Sequence, residues 1–288
     1  MNGSAGVLRA EIYRLVRSRA VHLSALFVVL VAVLRVWGEH AMRATARAAV
    51  VQRALERQVE PPELGPVNAY APLVEGWLSA LTVGSLLLLI LASRCLAADR
   101  ESGVLRLART RSASRGSLVL GRVLLGLPMV LGLVLISGAA AWITASALFE
   151  FGPLVEHGYE ILSVEELDHE LWRAVIAVIP PLLASWTFGL AISSVARSPS
   201  MALGASLAAY LGFDLFKQVL GDGQWWIFAA FAPSFVDTSA LQEMTGVARG
   251  LSDAGYSEEL YNMNLILPWP EALLLWGVAW WATRRRAL

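Results

Sequence analysis

The chain has a single cysteine, Cys95, and a single lysine, Lys217. A lone thiol excludes an intrachain disulfide, an iron–sulfur cluster and a thiolate zinc site within one copy. No Gly-x-x-x-x-Gly-Lys-Ser/Thr run occurs, so any ATP must be held by another chain. Formal net charge is +0, which removes the global field that would recruit nucleic acid. Catalytic constellations are also missing. His169-Glu170 is followed by Arg173 where a zinc-protease helix places its second histidine. Gly204-Ala205-Ser206 has part of a serine-hydrolase motif, but no histidine falls deep in an apolar run to act as its base. Asp222 between two glycines reads as a turn, without a second intramembrane aspartate on another run. Neither catalytic nor metal-ligating residues are therefore expected.

Charged residues make up only 16% of the chain, against about a quarter in soluble domains. Hydrophobic residues make up 57%, and several apolar stretches approach or exceed the roughly 20 residues a helix needs to cross a bilayer. The expected fold class is all-α: one polytopic membrane domain over residues 1–288, with six spans at 20–37, 77–98, 118–148, 171–196, 201–220 and 267–283. The first run is too long and too late for a signal-peptide core. Pro128 kinks the third span or marks an in-plane entry segment. Pro180, Pro181 and Pro233 set further kinks. Ahead of the first span, residues 1–19 form an interface helix: Leu8, Ile12, Leu15 and Val16 share one face, and Arg9, Arg14, Arg17 and Arg19 take the rest. Residues 221–266 form an external loop whose apolar run, Trp225 to Phe235, is too short to cross and reads as re-entrant or interfacial. Asp237 or Ser239 then caps a helix with Leu241, Met244, Val247, Ala248 and Leu251 on one face. Trp225, Trp226, Trp269, Trp280 and Trp281 mark membrane–water boundaries.

Arginine placement sets the orientation. The N-terminal segment, the 99–117 connection, the turn at Arg197 and the tail Arg284, Arg285 and Arg286 share one side of a six-span chain, so both termini are expected in the cytoplasm. Connection 150–170 carries seven acidic residues and no lysine or arginine, as an external loop does. Between the first two spans, Arg43, Arg47, Arg53 and Arg57 are offset by Glu39, Glu56, Glu60 and Glu63, the pattern of an external helix with a charged face. Charges in or beside spans require partners. Arg35 and Glu75 lie near the outer side, and Asp214 and Lys217 stand three apart on one helix. Each pair reads as an ion pair, with a substrate or ion path as the competing reading. Arg94 has no such neighbour in the sequence.

The 99–117 connection is the most informative stretch. Asp99-Arg100-Glu101-Ser102-Gly103-Val104-Leu105, followed by Ser114-Arg115 ahead of the third span, resembles the segment after the second span of ABC-2 type permeases. Val104 stands where that family commonly has Thr, and Ser112 or Ala113 where it commonly has Pro. The span order, the N-terminal helix, the apolar element before the last span and the basic tail agree with the family along nearly the whole chain. The resemblance implies a membrane-spanning exporter subunit in the cell membrane, paired with a second copy or paralogue. It further implies separate ABC ATPase subunits that hold ATP and Mg. Asp99, Arg100, Glu101, Ser102, Gly103, Leu105 and Arg115 would then couple to the ATPase, assisted by Glu11, Arg14 and Arg17 of the interface helix. An ordinary basic loop obeying the positive-inside rule accounts for the arginines alone. A non-transporting scaffold or assembly factor, and an intramembrane hydrolase, are the alternative functions.

Overall fold

Small residues at regular spacing decide which helices lie at the centre. In the computed structural model, which describes residues 3–59, 68–103, 115–156, 159–234, 239–251 and 258–285, the most buried helices are α3 (Tyr70–Glu101) and α5 (Val164–Val195). They meet along Ala92, Ser93, Gly189 and Ser193. A Cβ on Gly189 would come within 2.8 Å of the Ala92 Cβ and 3.0 Å of the Leu89 carbonyl oxygen. Without a hydrophobic force between helices in lipid, close approach of this kind supplies the packing energy. Ser193 Oγ accepts from the N–H groups of Leu96 and Ala97, at 3.1 and 3.0 Å.

Around this pair stand α1 (Gly3–Val16), α2 (Arg19–Glu56), α4 (Arg115–Leu148), α6 (Pro199–Phe216) and α9 (Pro268–Arg285). Their outward faces keep large apolar side chains exposed, such as Leu26, Leu30, Leu135, Trp142, Leu273 and Leu274. In water that surface would be a liability. For a polytopic membrane protein it is the face turned to lipid. Among the described residues, five helices are long and apolar enough to cross a membrane: Arg19–Glu56, Tyr70–Glu101, Gly116–Leu148, Val164–Val195 and Glu258–Arg285. The 18-residue α6, within the run read as the fifth span, is not one of them. It stops at Phe216, and the chain tightens into a 3₁₀ turn, Lys217–Trp226, with Gly221 at φ 53°. Among the described residues the bundle nevertheless has six legs, α2 to α6 and α9. The end of α5 lies beside Arg100, and Ala279 near the end of α9 packs on Val119 and Ala191 at that same end, so α6 runs outward and α9 returns.

Several local outcomes differ from the sequence pattern. The first span and the charged helix after it are one unbroken 38-residue helix, about 57 Å long at 1.5 Å per residue. In α1, Leu8 and Leu15 pack on the core, whereas Ile12 and Val16 are 39% and 60% exposed. The inward face therefore runs through Leu8, Glu11 and Leu15. The acidic connection holds a two-stranded antiparallel hairpin, β1 (Leu154–Glu156) and β2 (Tyr159–Leu162). Its last acidic residues instead start α5, where Ser163 and Glu166 cap each other reciprocally. After the 3₁₀ turn, Phe228–Ala230 folds back into the bundle, and Phe228 packs against Tyr210 and Phe188. Helix α7 (Ala240–Ala248) follows, with Leu241, Met244, Val247 and Ala248 buried. Leu251, read onto the same face, is 77% exposed because the helix ends before it. Ser239 holds the N-cap position without a side-chain capping bond, and Asp237 lies outside the described residues. A short α8 (Glu258–Ile266) leads into α9.

Candidate functional site

The termini of α1, α3, α4 and α5 converge at the end of the bundle that carries most of the arginines. Asp99, one turn from the end of α3, is 1% exposed. It accepts a 2.9 Å bond from Arg14 of α1 and a second from Arg122 of α4. Arg122 also donates to Glu11 at 2.8 Å, so two carboxylates and two guanidiniums from three helices form one cluster. Burial makes such a cluster costly to form and costlier to break, because any member removed leaves an uncompensated charge. Trp186 of α5 donates its indole N–H to the Arg122 carbonyl at 3.0 Å, which ties the fourth helix in.

Arg100 works differently. Its guanidinium donates to the carbonyls of Ala196, Ser194 and Ser193 at 2.7, 3.0 and 3.4 Å. These are the acceptors a helix C-terminus leaves unpaired, and a cation there also suits the helix dipole. Glu101 and Ser102 are exposed, and Gly103, at φ +74°, turns the chain off the helix as only glycine does without strain. Residues 104–114, Leu105 among them, lie outside the described residues, and Arg115 is the first residue of α4. Arg17, beyond the end of α1, stacks on Tyr13 at 4.4 Å. The motif therefore divides: Asp99 and Arg100 face inward and lock four helices together, while Glu101 and Ser102 face outward.

The two other pairs also meet. Arg35 donates to Glu75 at 2.6 Å, and Glu75 accepts a further 2.6 Å bond from Arg249 at the end of α7. Lys217 lies 3.0 Å from Asp214, and both are fully buried. The Lys217 ammonium also donates to Ser234 Oγ and the Ala229 carbonyl, at 3.1 and 3.3 Å. It thereby pins the folded-back segment to α6. Arg122 and Arg249 escaped the sequence reading. Arg122 had a usable signal, as the only charge inside an apolar run of about thirty residues. Arg249 had none, since its partner lies 174 positions away. Among the described residues no group of three or more His, Cys, Asp or Glu side chains gathers to hold a metal ion. At this end of the molecule the helix that bears Glu101 and Ser102 is tied to α1, α4 and α5 through buried polar bonds.

A family model described as ABC-2 family transporter protein matches residues 5–244. A comparison with curated proteins gives no match. The matched region takes in α1 from its third residue, the charged cluster and α7 as far as Met244.

Proposed function

Because the chain belongs to the ABC-2 transporter family, whose members are membrane transport components that generally work with ABC ATPases, we propose that it is the permease subunit of an ATP-driven exporter. In this reading the chain carries no catalytic residues. ATP and Mg reside on separate ATPase chains docked at the basic end, and a second copy or paralogue completes the transport route. All six legs cross the cell membrane, with both termini in the cytoplasm and 221–266 outside. ATP-driven movement enters through Glu101, Ser102 and the connection up to Arg115. The observation that carries the proposal is the buried Asp99 cluster together with the Arg100 cap, which makes α1, α3, α4 and α5 move as one body when that connection is displaced. A ligand shifts a conformational equilibrium only through differential binding to its states, and the ATPases supply that difference.

The test is a mild-detergent pull-down of the tagged protein from its native membrane, with mass spectrometry and an ATPase assay on the eluate. A near-stoichiometric P-loop ATPase is expected, and Glu101→Arg is expected to uncouple its stimulation without unfolding the permease. ATPase stimulation unchanged by that substitution would refute the coupling assignment. No ATPase after crosslinking would favour the scaffold reading.

A further inference from the structure

We infer that the cleft between α1, α2, α3 and α4 binds one phospholipid of net negative charge, with its phosphate at Arg94 and an acyl chain along the apolar wall. Two cavities, of about 280 and 170 Å³, share Leu15, Val21, Leu91 and Met129 and so form one groove. Its first half carries the polar groups, Arg14, Arg94, Arg122 and Glu11, set among apolar side chains. Its second half is apolar, walled by Val28, Leu87, Leu88, Pro128 and Leu133. A polar mouth leading into an apolar trough matches the two parts of a phospholipid.

Charge selects which lipid. Arg14 and Arg122 are engaged by Asp99 and Glu11, but Arg94 is exposed and forms no ion pair with any described residue. It stands 19 residues beyond Glu75 on the same helix, about 28 Å along the axis, close to the thickness of the hydrocarbon layer. With Glu75 near one boundary, Arg94 reaches the other, at the depth of the phosphates. An arginine there is costly unless an anion or water meets it, and a phosphate accepts its fork of donors in two parallel bonds. The acyl trough is open as well: a Cβ on Gly132 would meet nothing within 4 Å. A second copy laid across the cleft would bring apolar side chains over an unpaired guanidinium, so charge complementarity favours the lipid. The groove opens toward the leaflet at the basic end, which under the proposed orientation is the cytoplasmic one.

The experiment is native mass spectrometry of the purified permease, stripped of lipid in mild detergent and titrated with dioleoyl phosphatidylglycerol or dioleoyl phosphatidylcholine. It needs no ATPase, so it stands or falls separately from the transport reading. One phosphatidylglycerol is expected to remain bound, with about tenfold preference over phosphatidylcholine, whose choline cation offsets the phosphate charge that Arg94 meets. Arg94→Gln removes the preference and Arg94→Lys keeps it. Gly132→Trp fills the trough and lowers retention of both lipids. Absence of preference in the wild type, or its survival in Arg94→Gln, would overturn the proposal. So would a Gly132→Trp variant that changes the oligomeric mass while lipid retention stays the same, an outcome that assigns the cleft to a second copy.

Discussion

Both ends of α3 carry a carboxylate held by two arginines, yet the two arrangements differ in what surrounds them. Asp99 at the basic end is matched with Arg14 and with Arg122, whose side chain is only 6% exposed. Glu75 at the opposite end is matched with Arg35 and Arg249, whose side chains are 36% and 42% exposed. The carboxylates are nearly equally buried, so the arginines make the difference. At the Glu75 end each cation can turn to water if its partner is lost. At the basic end Arg122 cannot, since α1, α3 and α5 enclose it. The same chemistry therefore makes a replaceable tie at one end and a clamp at the other, and the clamp lies where the ATPase is proposed to push.

The largest effect is expected from Asp99→Ala, which leaves the buried Arg122 with Glu11 as its remaining carboxylate and Arg14 without one, and should cost about 3 kcal/mol, the lower end for breaking a buried pair. Thermal unfolding in detergent, followed by tryptophan fluorescence, would show this as a large fall in Tm or a failure to express. Removing both charges in Asp99→Ala/Arg122→Leu should restore part of the loss, because the buried ion pair goes as a unit while Glu11, whose side chain is 17% exposed, gives up its arginine. If the double variant is no better than the single one, charge burial is not what holds the clamp. Glu75→Gln should cost less, about 1–2 kcal/mol after allowing for solvent around its two arginines, and the same melting assay would rank the two ends. Equal losses would erase the contrast. Arg100→Ala should cost about 1 kcal/mol through the lost cap on α5, with faster hydrogen exchange confined to the last turn of that helix.

How much of this was legible in the sequence varies with the range of the interaction. Apolar run length is a local quantity, and it gave the all-α membrane fold; the spacing of three on one helix gave the pairing of Asp214 with Lys217. The Arg35–Glu75 contact also followed, because the two residues sit at the facing ends of consecutive spans. The clamp was not legible as a unit. Asp99, Arg14 and Glu11 were each singled out for facing a partner protein, but they face one another, and Arg122 was passed over inside its apolar run. Polar residues at span ends look alike whether they point outward or inward; only the packing of α1 against α4 separates the two. The hairpin was missed for a related reason. Leu154–Glu156 and Tyr159–Leu162 are three and four residues long, too short for a period-two pattern to register.

The smallest expected effect on stability is also the one that sharpens the comparison most. Glu101 follows two residues that are anchored inside the bundle, yet its own side chain is exposed, with no bond to any described residue. Charge reversal at an exposed position that holds nothing together should change folding stability by no more than about 0.5 kcal/mol. Glu101→Arg should therefore melt with the wild type and elute at the same volume. If its Tm falls as far as that of Arg100→Ala, the division of the motif into an inward clamp and an outward contact is wrong, and Glu101 belongs to the clamp. If its Tm is unchanged while ATPase stimulation is lost, stability and coupling separate at adjacent residues. Asp99 and Arg100 would then hold the helices in one piece so that a load applied at Glu101 moves all of them together.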